Sequence, residues 1–159
     1  MPGFCAEELA AHATALIMAL NRNLRYYDSR IRNGEWPKAG YYQPKSMKQQ
    51  VLGLMGFGAS AQELYKIFKF GFGCNILVYD PFFPEEHKAD FDVTFVDFDT
   101  VVAKADILSL HLPLNKETWH VINESVFKKM NNSATIVNIG RGELIDEAAL
   151  AAALDAGEI

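Results

Sequence analysis

Apolar residues recur at Leu9, Ala13, Leu16, Ile17, Leu20, Leu24, Tyr27 and Ile31, with polar residues filling most positions between them. That spacing gathers them on one side of a helix, and Glu7 and Glu8 fall in its first turn, where the helix dipole favours negative charge. The pattern predicts one long amphipathic helix over residues 7–31, closed by Asn33-Gly34. Between residues 35 and 47 the period is lost, and Trp36-Pro37, Gly40 and Pro44 argue against a helix. This stretch reads as a connection.

Beyond it the pattern changes to short apolar or β-branched runs alternating with helical ones. Residues 51–55, 75–79, 92–96, 106–110 and 135–139 read as strands, and helices are expected near 60–70, 99–104, 124–130 and 147–155. Strands separated by helices predict a mostly parallel sheet covered on both faces, the doubly wound α/β arrangement of Rossmann type.

Composition narrows the function classes. The 159 residues carry 15 Lys and Arg against 20 Asp and Glu, a net charge of -5. Binding to a phosphate backbone favours a basic excess, so nucleic acid is not an expected partner. Cys5 and Cys74 are the only cysteines, and neither has a second cysteine or a histidine at metal-ligand spacing. No metal is expected, and a reduced, cytoplasmic protein fits. The apolar run 15–20 falls far short of the ~20 residues of a membrane span and follows an acidic pair. Neither a signal peptide nor a membrane partner is expected.

The most informative stretch is Val51-Leu-Gly-Leu-Met-Gly56-Phe-Gly58-Ala59-Ser60-Ala61, a strand that enters a glycine turn and then a helix. Gly56 permits the tight turn, and Gly58 lets the backbone approach a pyrophosphate at the helix N-terminus, with Ala61 in the place of a third glycine. The next strand ends at Asp80, close to the ~20-residue offset at which an acidic residue accepts hydrogen bonds from a ribose. A carboxylate there favours NAD and repels the 2′-phosphate of NADP. The plainer alternative makes Asp80 the start of an Asp-Pro turn. With the cofactor reading, residues 1–34 form a leading helical segment, 35–47 the connection and 48–159 a dinucleotide-binding domain.

Further motifs run in order through nearly all of the chain. They are Glu7 to Arg22, Arg32-Asn-Gly-Glu-Trp36, Val78-Tyr-Asp80-Pro81, Ala105-Asp-Ile-Leu-Ser-Leu-His111-Leu-Pro113-Leu with Glu117-Thr118, and Val137-Asn-Ile-Gly140-Arg141-Gly142-Glu-Leu-Ile-Asp146. On these the chain resembles the D-isomer-specific 2-hydroxyacid dehydrogenases. The resemblance implies an NAD-dependent oxidoreductase that interconverts small 2-oxo acids and D-2-hydroxy acids and pairs as a homodimer through its leading helix. It implies NAD contacts from Gly56, Gly58, Ala59, Ser60, Asp80, His111, Pro113 and Gly140. It makes Arg141 the arginine that binds the substrate carboxylate and carbonyl, a role that a bidentate, permanently charged fork suits. The bland alternative is an exposed loop arginine between two glycines.

Imidazole is the usual proton donor near neutral pH, which draws attention to His111. In the family, however, the acid–base histidine and its glutamate lie C-terminal to the arginine signature, and His111 is read as a cleft-lining residue. The chain ends at Ile159 before either could appear. It is therefore expected to be a cofactor domain truncated at its C-terminal end, inactive by itself. A rival from another class is a non-catalytic NAD(H)-binding module that acts through protein partners. Two departures from the family stand out. Ala59-Ser60-Ala61 replaces its basic-aliphatic-glycine sequence, and the stretch 68–73 holds one extra residue before the second strand.

Overall fold

The computed structural model describes residues 4–36 and 44–159. Pro37 and Gly40 of the expected connection lie outside them; Pro44 leads into a 3-10 turn at Met47–Gln49.

Among the described residues five parallel strands form one sheet: β1 (Val51–Met55), β2 (Asn75–Tyr79), β3 (Thr94–Phe95), β4 (Ile107–Leu110) and β5 (Thr135–Asn138). Their order is β3-β2-β1-β4-β5. The chain first builds outward from β1 to β3, then returns past β1 to build the other way, which leaves a crevice at the carboxyl ends of β1 and β4. Leu52 lies between Ile76 and Ile107 in this register, and Leu54 between Val78 and Ser109. Alternate residues therefore serve opposite faces, and β4 is buried at all four positions because both faces are covered. β3 is shorter than expected: the Asp92 N–H donates to the Tyr65 hydroxyl at 3.2 Å instead of joining the sheet.

Among the described residues there are six helices: α1 (Ala6–Asn21), α2 (Leu24–Arg32), α3 (Ala59–Lys66), α4 (Phe98–Lys104), α5 (Glu124–Phe127) and α6 (Glu147–Ala156). One core joins α1 and α3 to the sheet through Ala10, Ala13, Ile17, Leu54, Leu64 and Phe68. The other lies under α4, α5 and α6 and contains Met55, Val101, Leu108, Phe127 and Ala153. Asp97, Asn123 and Asp146 cap those three helices, each accepting from a first-turn N–H. The helix expected over 124–130 is only one turn, since the N–H groups of Lys129 and Met130 donate to residues three back and close the chain into turns.

The single long helix expected over residues 7–31 is instead two helices. Arg22 leaves helical geometry and Asn23 is left-handed at φ 50, a conformation that asparagine tolerates better than most side chains. The break divides the apolar stripe: Ala10, Ala13 and Ile17 are fully buried, whereas Leu20, Leu24 and Ile31 are each more than half exposed.

α3 continues into a π-helical stretch at Ile67–Phe72. A π turn accommodates one residue more than an α turn. Such a turn suits the extra residue expected in this segment, and Phe68 lies in the core while Asn75 pairs with Val51.

Candidate functional site

β1 ends in the turn Gly56-Phe57-Gly58, which enters α3. Gly56 sits at φ +86, and a Cβ there would lie 3.0 Å from the His111 carbonyl oxygen, so both conformation and neighbour demand glycine. At Gly58 a Cβ would meet nothing within 4 Å. This open space fronts the start of α3 at Ala59, and the cap residue Gly58 has no side chain to satisfy the first-turn N–H groups. Those groups and the positive end of the helix dipole favour an anion.

Asp80 stands where β2 leaves the sheet. Its Oδ2 accepts from the Phe57 N–H at 2.8 Å and its Oδ1 from the Phe82 N–H at 3.0 Å. The carboxylate is thereby fixed beside the glycine turn, with lone pairs left for further donors. Gly56, Gly58, Asp80, Phe82, His111 and Pro113 line one cleft of about 440 Å³, a volume suited to part of a dinucleotide. Its far wall is the loop after β4, where Asn115 Oδ1 accepts from the N–H groups of Glu117 and Thr118, and Thr118 Oγ1 donates to the Pro113 carbonyl at 2.6 Å.

His111 closes the inner end of the cleft. Its Nδ1 lies 3.0 Å from Ser60 Oγ and its Nε2 2.9 Å from Ser109 Oγ. Burial pushes its pKa down to about 4, so the ring is neutral near pH 7 with both nitrogens engaged inside the protein.

The turn after β5 carries Gly140 and Arg141. Asn138 holds it from both sides: its Oδ1 accepts from the Gly140 N–H at 2.9 Å and its Nδ2 donates to the Arg141 carbonyl at 2.7 Å. A Cβ at Gly140 would stand 2.9 Å from the carbonyl oxygen of Leu112, so this turn packs directly on the cleft-lining loop. Arg141 is exposed, and one guanidinium nitrogen donates to the Gly140 carbonyl at 3.0 Å. It does not line the cleft that holds Asp80. Farther along the loop after β4, the Trp119 and His120 rings stack with centroids 3.5 Å apart. Among the described residues no cluster of His, Cys, Asp and Glu could hold a metal ion, and no helix is long and apolar enough to cross a membrane.

Residues 14–159 match the family model of the D-isomer specific 2-hydroxyacid dehydrogenase NAD binding domain. The chain belongs to this family. Hydroxypyruvate reductase of Thermotoga maritima is 37% identical, with 99% of this chain and 50% of that protein aligned. Glyoxylate reductase of Thermococcus litoralis is 36% identical over 99% of this chain and 49% of that protein. The crystal structure of D-lactate dehydrogenase with NAD+ from Lactobacillus jensenii superposes with a TM-score of 0.87 at 34% identity, covering 97% of this chain and 46% of that one. The chain spans about half the length of these relatives.

In this 2-hydroxyacid dehydrogenase NAD domain, the residues named from sequence fall into two groups. Gly56, Gly58, Asp80, His111 and Pro113 share the cleft; Ala59 and Ser60 follow Gly58 in the first turn of α3 without lining that cleft, and Gly140 and Arg141 form the neighbouring turn. Sequence reasoning missed the groups that hold them in place. The backbone of Phe57 carries no signature in a sequence. Asn138 did: an asparagine two residues before a glycine is a common way to staple a turn. Asn115 and Thr118, three apart after a proline, offered a similar signal.

Proposed function

We propose that the chain is the cofactor half of an NAD-dependent oxidoreductase that interconverts a small 2-oxo acid and a D-2-hydroxy acid. The observation that carries this reading is the Asp80 carboxylate, fixed by two backbone N–H groups at the mouth of a cleft whose glycine turn is open in front of α3. The residues fit a dinucleotide. The first turn of α3, with Gly58, Ala59 and Ser60, would hold the pyrophosphate, and Asp80 the adenosine ribose. Gly56 keeps the turn clear of the His111 carbonyl, His111 and Pro113 bound the cleft, and Gly140 lets the next turn approach it. NAD bound there supplies the hydride acceptor or donor.

Arg141 supplies the charge that a 2-oxo acid needs: its guanidinium holds the carboxylate and polarises the carbonyl at the carbon that changes oxidation state. His111 donates no proton in this scheme, since its ring is neutral and both nitrogens are occupied. The exposed Leu20, Leu24 and Ile31 support a homodimer formed on this side of α1 and α2. The free thiols of Cys5 and Cys74 suit a reducing compartment such as the cytoplasm, and recovery of the native protein from a secreted fraction would contradict that setting.

Titration calorimetry tests the cofactor assignment. NADH is expected to bind more tightly than NADPH, because Asp80 faces the 2′-phosphate with like charge, and Asp80→Ala is expected to narrow the difference. Equal affinities in the unmodified protein would sink the assignment. For Arg141, Gln in its place in the full-length protein should lower kcat/KM by roughly a hundredfold or more while leaving NADH affinity nearly unchanged. Normal turnover in that variant would remove Arg141 from the site.

A further inference from the structure

Ser109, His111 and Ser60 form a chain of three polar side chains that runs from inside the sheet to the first turn of α3. Ser109 is fully buried in β4, and among the described residues its hydroxyl has a single hydrogen-bond partner, Nε2 of His111. A buried hydroxyl hydrogen without an acceptor is costly, and a neutral imidazole offers one lone pair and one N–H. The Ser109 hydrogen therefore goes to Nε2. The ring hydrogen then sits on Nδ1, 3.0 Å from Ser60 Oγ, and Ser60 becomes the acceptor of that bond. With its oxygen so used, the Ser60 hydroxyl keeps its own hydrogen free. Ser60 is partly exposed, two residues after Gly58, beside the open face of the glycine turn.

We infer that this directional relay, Ser109 to His111 to Ser60, aims the Ser60 hydroxyl as a hydrogen-bond donor at a phosphate group held at the glycine turn. Ser60 is the binding residue, and His111 and Ser109 are positioning residues that act through it. The inference rests on the cofactor reading above and deepens it. Ser60 lies within the segment Ala59-Ser60-Ala61, which lacks the basic side chain common in the family, so an added neutral donor compensates for a missing cation. The low pKa of His111 agrees, because a protonated ring would donate from both nitrogens and leave the Ser109 hydrogen without an acceptor.

Two measurements test it. Long-range proton–nitrogen correlation spectra at pH 7 should show the His111 hydrogen on Nδ1, the less common tautomer of a free histidine side chain; a hydrogen on Nε2 overturns the relay. NADH binding by calorimetry should weaken roughly tenfold in Ser60→Ala, the size of one lost hydrogen bond to a charged group, and return to within about threefold of normal in Ser60→Thr. Ser109→Ala should move the ring hydrogen toward Nε2 and weaken NADH binding, although Ser109 is sealed from the cleft. If Ser60→Ala binds NADH normally while Asp80→Ala does not, the relay is wrong and the cofactor reading stands. If the unmodified protein binds no NADH, both fall. Should Ser109→Ala fail to fold, the spectrum of the unmodified protein and the Ser60 pair decide the matter.

Discussion

At pH 7 the His111 ring is uncharged, because burial pushes its pKa from the ordinary 6.5 down to about 4. Between those two values the unfolded chain binds more protons than the folded one, so stability rises with pH across the window. The contribution is fully present above 6.5 and is lost as pH falls toward 4, about 3 kcal/mol in all. Urea unfolding at pH 7 and pH 4.5 should show a smaller loss in His111→Gln than in the unmodified protein, and equal losses would refute the burial argument. His111 also marks how far single residues could be read in advance. That Gly56 and Asp80 lie together was legible, because a glycine turn after one strand and a carboxylate at the end of the next are local features of the chain, and the structure sets both in one cleft. The partners of His111 were not, since Ser60 lies 51 positions away and meets the ring only once α3 has packed on the sheet.

Among the elements, the π-helical stretch at Ile67–Phe72 carries its own test. If it exists to absorb one surplus residue, removing the exposed Gly71 should let α3 finish as an ordinary α-helix with β2 still paired to β1. Thermal unfolding should then show a Tm lowered by less than about 5 °C, with the circular dichroism of a folded α/β protein. Loss of cooperative unfolding would mean that the wide turn is needed for packing. The π-helical turn itself was not visible in the sequence, because helical periodicity barely distinguishes a bulge from a frayed end. The break at Asn23 was hidden for a related reason. Leu20, Leu24 and Ile31 continue the apolar spacing of α1, and that spacing records which side is apolar, not whether one rigid helix connects them. Strands were easier to read, as runs such as 75–79 are short, apolar or β-branched over nearly their whole length and end at turn residues such as Asp80-Pro81.

For the whole molecule, the alternation of strands and helices was enough to announce a parallel sheet, while the order β3-β2-β1-β4-β5 required the packing itself. Light scattering at micromolar concentration should report a dimer, and Leu24→Glu combined with Ile31→Glu should convert it to monomer, because both leucine and isoleucine would lie at the contact. An unmodified protein that is monomeric throughout that range would count against pairing on this face. Parallel strands also place the candidate site residues at one rim: the glycine turn after β1, Asp80 after β2, the loop after β4 and the Arg141 turn after β5. Trp119 belongs to that rim, on the same loop as Pro113 and Thr118 and stacked on His120. Indole emission overlaps the absorption of reduced nicotinamide, so this ring is an intrinsic energy-transfer donor. With Trp36, the second tryptophan, replaced by phenylalanine, excitation of Trp119 would make NADH arrival visible as sensitised cofactor light, in real time and without a label.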